Sequence, residues 1–412
     1  METTMERTSL RIAAIFGIIM GIPAAGRAAD LFGVEVTYGG GTISQSASSL
    51  PDLVEALTKN QDAFAPLVGQ DFTGSLTYYG IPGAVSVHVQ GDTQLTVTSP
   101  LTGLNRTFTG TNRDDLEQQL KDWLLKEGGR VVAELMKAAA KESTAAIIDG
   151  NPSAATARMA DRAFSTFGLY PATPAMRGST KGSYLGLWAD AKRSTADTPV
   201  GSVDSSQYGF NVPWWLDFSS KVSLIGNLSG QYMDAEGTAI YGGGMDLGLG
   251  IRLASRGEND RFGWQVTPFA GLHGVGTYDG ASGGLLDHFG IANRFEFMLN
   301  QDVQLVVASQ FSYYDSLKLK IQEVEIDPEL NQQVVKNAVM LDTPVGSAKW
   351  LHVNGFAMDT RFLKDVAVDG YQTVGGGLSM RKGHTSLNGY VGYDIADNYN
   401  SWNFGVGLGF DW

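Results

Sequence analysis

Five histidines, His88, His273, His288, His352 and His384, are the candidate general bases and metal ligands of this 412-residue chain, and no cysteine joins them. None forms a two-histidine helix motif of the H-E-x-x-H kind, so the linear spacing predicts no metal site. Gly280-Ala281-Ser282-Gly283-Gly284 has the G-x-S-x-G form of serine hydrolases. That chemistry needs the serine on a strand-to-helix elbow, and here the motif precedes a strand, so it reads as a glycine loop. Asp287-His288 sets an acid beside an imidazole, as a barrel hydrolase acting near a membrane rim would require, but no nucleophile can be assigned to it. Asp394, Asp397, Asn398 and Asn400 offer oxygen ligands without the spacing of a calcium loop and read as a solvated turn. The expectation is therefore no enzyme, with no catalytic residue, no metal and no cofactor.

A different kind of chemistry is open to Asp246, Arg252, Arg294 and Glu296. They mix both signs in segments that otherwise alternate apolar and small residues. Turned toward a shared interior, such groups line a pore, and opposed acids and bases would set a transverse field across it. In a narrow barrel the same charges pair and plug the lumen. Either outcome requires a closed sheet to aim them inward.

Composition bears on that requirement. Charged residues make up 18% of the chain, against roughly 25% in ordinary soluble proteins. The net charge of -13 argues against nucleic acid as a partner, because a phosphate backbone calls for a basic surface. Residues 1–29 carry Arg7 and Arg11 ahead of the apolar run Ile12 to Met20. Pro23 and small residues follow, with Gly26 and Ala28 at cleavage-site spacing. This is the pattern of a cleaved export signal, too short to span a bilayer as a helix.

The remainder falls into two unlike parts. Residues 30–169 read as a small soluble α+β domain. Ser49 caps a helix carrying Leu50, Leu53, Val54, Leu57 and Phe64. Short alternating runs form a meander between Phe72 and Thr109. A helix starts at Asn112, is interrupted at Gly128-Gly129 and resumes, and a last helix begins near Ser153. Residues 170–181 are a Pro/Gly/Ser/Thr linker. Residues 182–412 hold 33 of the 52 glycines and seven of the eight tryptophans. There the alternation is clean: Met245, Leu247, Leu249, Ile251 and Leu253 share one face, with Asp246, Gly248, Gly250 and Arg252 opposite. Strands of ten or more residues with one apolar and one small or polar face are expected where lipid lies outside and water inside. Aromatics near strand ends, among them Trp214-Trp215, Tyr241, Tyr278, Tyr313-Tyr314, Trp350, Tyr371 and Trp402, suit the two interfacial girdles of such a barrel.

At the C-terminus Phe404, Val406, Leu408, Phe410 and Trp412 alternate with Gly405, Gly407, Gly409 and Asp411. This resembles the closing strand of bacterial outer-membrane β-barrel proteins, which commonly end on Phe or Trp. The resemblance implies export to the cell outer membrane, contact with its lipid, and recognition by the barrel-insertion machinery through the strand ending at Trp412. It does not extend to residues 30–169, and it leaves the oligomeric state open. The fold class is thus mainly β: a transmembrane antiparallel barrel of about 12 strands over 182–412, preceded by the α+β domain. The count includes strands at 347–356 and 361–368. It leaves 191–206 and 319–346 as long outer connections, the latter either an external loop or a constriction in the lumen.

Two functions fit this plan. The first is a channel or transport pore with a periplasmic N-terminal domain. The alternative is an autotransporter-like barrel that displays the N-terminal domain at the cell surface for adhesion or interaction, since domain, linker and barrel come in that order.

Overall fold

Serine and threonine alternate with apolar residues along 32–109. That period of two produces six antiparallel strands: β1 (Phe32–Tyr38), β2 (Gly41–Ala47), β3 (Phe72–Tyr78), β4 (Ile81–Gln90), β5 (Gln94–Ser99) and β6 (Leu104–Thr109). The computed structural model describes residues 31–169 and 183–412, apart from Ser48, Val68, Val200, Glu236, 255–260, 278–281, 322–323 and 327–328. The expected export signal and linker, and Tyr278, lie outside the described residues. The six strands pair in the order β2-β1-β3-β4-β5-β6. Val36, Phe72, Val87, Leu95, Val97 and Phe108 are buried on one face. On the other face, register lines up Thr42, Thr37, Thr73, His88, Thr96 and Thr107 in one row across all six strands.

Two helices cover the apolar face. In α1 (Leu50–Lys59) the Ser49 hydroxyl accepts from the Asp52 N–H at 3.1 Å, as the sequence predicts. A 3-10 turn over Gln61–Leu67 then brings Phe64 into the core. In α2 (Arg113–Glu142) the Asn112 side chain accepts from the Asp115 N–H at 3.0 Å. The break expected at Gly128-Gly129 does not occur, because α2 runs through it as one helix of 30 residues. Two helical glycines cost about 1 kcal/mol each. The buried stripe Leu116, Leu120, Val131, Leu135 and Ala139 stays in phase across the pair, and its packing holds the helix together.

Residues 184–411 form a closed barrel. Its strands are β7 (Tyr184–Thr198), β8 (Gly201–Asp217), β9 (Val222–Ala235), β10 (Thr238–Ala254), β11 (Phe262–Thr277), β12 (Ser282–Met298) and β13 (Gln304–Leu317). A small ribbon, β14 (Leu319–Ile321) and β15 (Val324–Ile326), stands apart before β16 (Asn331–Val345), β17 (Ala348–Phe362), β18 (Gly370–Lys382), β19 (Thr385–Ala396) and β20 (Tyr399–Asp411). The ring of twelve closes where β20 pairs antiparallel with β7, Asp411 opposite Tyr184, so no edge is left to seek a partner. The expected number is met, but two elements differ. Residues 331–345 are a strand, not part of a loop. Residues 348–362 are one strand, so the expected division into 347–356 and 361–368 is wrong, and 363–369 connects to the next. β7 and β8 also take in most of the expected loop 191–206. In 331–345 the polar residues Gln332, Lys336 and Asp342 signalled a loop when they were simply facing inward, whereas the division of 347–368 served to keep the strand number even.

Both chain ends of the barrel lie at one end, where Ser183 and Trp412 exchange backbone hydrogen bonds. The sheet domain sits at the other, with the longest connection, 318–330. There Lys137 reaches Glu329 at 3.5 Å, and Thr144 Oγ1 donates to the Asp197 carbonyl at 2.7 Å. Ala146, Ile147 and Ile148 join one apolar core with Val203, Met233, Ile240 and Leu286 of the barrel mouth. Gly150 then turns the chain into the barrel. Its φ is +108°, and a Cβ there would stand 2.3 Å from the Ala140 carbonyl oxygen. Gly150→Ala is therefore expected to cost about 1–3 kcal/mol from the backbone conformation alone. Protease resistance of the junction 143–153 in the purified protein, against wild type, is the measurement.

Candidate functional site

Successive strand residues face opposite sides, and in this barrel the two sides differ in kind. Leu187, Leu228, Met245, Leu247, Phe289, Leu378, Phe404 and Val406 stand on the outer surface, each more than two-fifths exposed. Tyr208, Tyr241, Trp350, Trp402 and Trp412 flank them, also exposed. Inward positions carry Lys192, Asn227, Asp246, His288, Arg294, Gln310, Lys336 and Asp394, all buried. Apolar outside and polar inside inverts the soluble pattern and matches a sheet whose solvent is lipid. The barrel is of the outer-membrane type. Not every expected girdle aromatic takes part, since Trp215, Tyr314 and Tyr371 point inward and are buried.

What fills the interior is the last helix of the first segment. Residues Ala155–Ala163 form α3, and a π-helical turn continues over Phe164–Leu169. Nearly every side chain of α3 is buried, including Arg158 and Arg162, because walls surround it. Arg158 Nη2 donates to Asp190 of β7 at 2.6 Å. Arg162 Nη2 donates to the Gly230 carbonyl of β9 at 3.3 Å. Asp161 accepts from Lys336 of β16 at 2.5 Å and from the Tyr371 hydroxyl of β18 at 2.7 Å. Phe167 stacks on Phe269 of β11, with centroids 4.6 Å apart. Partners on every side of the ring put the helix on the barrel axis.

The entry is fixed by hydrogen bonds to polar wall residues. Lys192 Nζ donates to the Pro152 carbonyl at 3.0 Å and to Asp394 at 2.8 Å. Gln207 donates to the Ser153 carbonyl, and Ser153 Oγ lies 2.6 Å from the Tyr399 hydroxyl. Asp149, at the mouth, accepts from Thr156 and Gln332. Beside the helix a cavity of ≈ 170 Å³ remains, with Trp188, Asn211, Asn354, Tyr390 and Asn403 in its lining.

The sequence-predicted residues all face inward, but they sit together on the wall formed by β10 and β12. Arg294 pairs with Glu296 of its own strand at 2.9 Å and lies over the Trp215 ring. Arg252 pairs with Asp217 at 2.8 Å. Asp246 accepts from His273 and His288, at 2.7 and 2.6 Å. The opposition of charge across the lumen instead runs between α3 and the wall, through Arg158, Asp161, Asp190 and Lys336. Lys192 and Lys336 were overlooked because their segments read as loops, although each occupies an inward position between outward-facing neighbours. Asp287 and His288, adjacent in sequence, face opposite sides of β12 and cannot act as a dyad. Asp394 is not in a solvated turn: it is buried, holding Lys192, Thr373 and Ser401.

The sequence matches no family model and no curated protein. Among solved structures, the translocator domain of the autotransporter NalP from Neisseria meningitidis aligns over 64% of this chain and 98% of its own, at 11% identity and TM-score 0.47. The β-domain of the Bordetella autotransporter BrkA covers 56% of this chain and all of its own, at 13% identity and TM-score 0.44. The CymD monoaromatic hydrocarbon channel covers 59% and 91%, at 10% identity and TM-score 0.36. At such scores these likenesses add nothing to the geometry of the lumen.

Removing Asp161 leaves the buried Lys336 ammonium with the Thr360 and Tyr371 hydroxyls but without its carboxylate, a loss of about 3–5 kcal/mol when one partner of a buried pair is deleted. Asp161→Ala should therefore lower the urea midpoint of the folded protein. Adding Lys336→Met should recover much of the loss, because Arg158 keeps Asp190; an additive double variant would mean that the two groups are not coupled.

Proposed function

We propose that the barrel is an outer-membrane anchor that holds the sheet domain, residues 31–148, at the cell surface. The observation that carries this reading is the axial helix. Residues 149–169 occupy the lumen, with the sheet domain at the end opposite Ser183 and Trp412. Outer-membrane barrels of a single chain keep short turns on the periplasmic side and longer loops outside. The longest connection, 318–330, is at the sheet domain's end, which supports an external position for that domain. A periplasmic domain, the other arrangement the sequence allowed, would need to sit beside the chain ends.

This placement gives the domain's hydroxyl-rich face a use. α1 and α2 cover the apolar side, so the row of threonines through His88 is what the domain offers to its surroundings. Adhesion or another surface interaction suits such a face better than catalysis. The barrel itself then serves as conduit and holder, with no reaction assigned to it.

Proteinase K added to intact cells should remove epitopes in 31–148 and leave a protected barrel fragment. Protection of the domain until the outer membrane is breached would overturn display in favour of a periplasmic domain. The axial helix, paired to opposite walls by Arg158 and Asp161, favours a closed lumen, so the full chain should be nearly silent in planar bilayers. Replacing Arg158 and Asp161 together by alanine should raise its conductance events by about tenfold or more, as ion pairing across the lumen is lost.

A further inference from the structure

Three consecutive strands bring three metal-ligating side chains to one point inside the wall. Asp246 of β10, Gly271 of β11 and His288 of β12 form a single transverse row, and His273 is the next inward residue of β11. His273 Nε2 and His288 Nε2 lie 2.7 and 2.6 Å from the same atom, Asp246 Oδ1. The other carboxylate oxygen has, among the described residues, a long hydrogen bond of 3.5 Å from Asn227 Nδ2. We propose that Asp246, His273 and His288 form a binding site for a divalent transition metal of the zinc class.

The glycines around the cluster support a built site. A Cβ at Gly271, the centre of the row, would stand 2.2 Å from both Asp246 Oδ1 and His288 Nε2. A Cβ at Gly244 would stand 2.4 Å from the His273 ring. Space is thus kept both where the ligand atoms meet and behind one of the rings. Phe269 and Tyr314 pack against His288, with centroids 5.6 and 5.0 Å away, and fix its plane. All three ligands are buried.

Donor type selects the ion. One carboxylate and two imidazoles make a mixed oxygen and nitrogen donor set for a divalent transition-metal ion. Imidazole nitrogen suits zinc, copper, nickel or iron, whereas calcium and magnesium prefer all-oxygen sites. Bonds of about 2.0–2.1 Å in a tetrahedron place ligand atoms roughly 3.3 Å apart; each imidazole nitrogen thus needs to part from Asp246 Oδ1 by about half an ångström or slightly more, and the three donor atoms already lie within 4.8 Å of one another. Three protein ligands leave a fourth position for water or an external ligand. The site needs only the barrel wall, so it is independent of where the sheet domain lies.

The test uses the full chain in detergent, stripped with chelator, with folding judged by heat-modifiable electrophoretic migration. After dialysis against zinc, metal analysis should find about one equivalent, and X-ray absorption should show two imidazole nitrogens with oxygen. Folded His273→Gln should bind at least about tenfold more weakly. Gly271→Ala, which leaves all three ligands in place and fills their meeting point, should do the same. His352→Gln, at a separate histidine paired with Asp342, should bind as wild type. A folded wild type that takes up under about a tenth of an equivalent of zinc, nickel and copper would overturn the proposal. So would zinc held with oxygen ligands only, or undiminished binding in both His273→Gln and Gly271→Ala.

Discussion

A charged group on the inner wall of a closed barrel has bulk water only while the lumen is open. Once a helix lies along the axis, each such group must find a partner or bear a desolvation cost of several kcal/mol. The arrangement of residues 149–169 answers that constraint. Arg158 and Asp161 on α3 meet Asp190 and Lys336 on the wall, while Lys192 is held by Asp394 and the Pro152 carbonyl. A plain apolar helix would leave Asp190 and Lys336 without their partners of opposite charge. An open lumen would leave Arg158 and Asp161 without a reason to be there.

The same constraint explains which parts of the fold were legible. The outward face was easy to read, because lipid demands large apolar side chains at every second position. Met245 to Leu253 and Phe404 to Trp412 show this directly in the sequence. The inward face was harder to read, since a lumen met by a polar helix accepts Lys, Gln and Asn as readily as a loop does. Asn331 to Val345 is the clearest example. Gln332, Lys336 and Asp342 face in, and Val335, Val339 and Leu341 face out, yet Glu323 to Glu329 just before it made the whole stretch look external. In α2 the Gly128-Gly129 pair misled for the opposite reason. Local propensity favoured a break, and a buried stripe on both sides outweighed it.

The candidate residues followed a similar division. Inward parity was enough to place Asp246, Arg252, Arg294 and Glu296 in the interior. Their partners were not accessible to sequence, because pairing depends on the register between strands. His273 and His288 are 15 residues apart, with no motif between them, and only the β10–β11–β12 register brings both to one carboxylate oxygen. The helix that begins near Ser153 was visible by its period. Its burial on all sides was not, as Arg158 and Arg162 would ordinarily mark a solvent face.

The arrangement of domain, axial helix and ring also has a mechanical side. Six strands at about 4.8 Å spacing make the folded sheet roughly 24 Å across, while the bore accommodates a single helix about 10–12 Å wide. The folded domain is therefore a stopper on a threaded axle: it cannot be drawn back through the ring without unfolding. A tug on the domain away from the ring loads the contacts of Arg158, Asp161, Lys192 and Phe167 together, in shear along the axis. Shared load of that kind lets a non-covalent joint resist force better than contacts broken one after another.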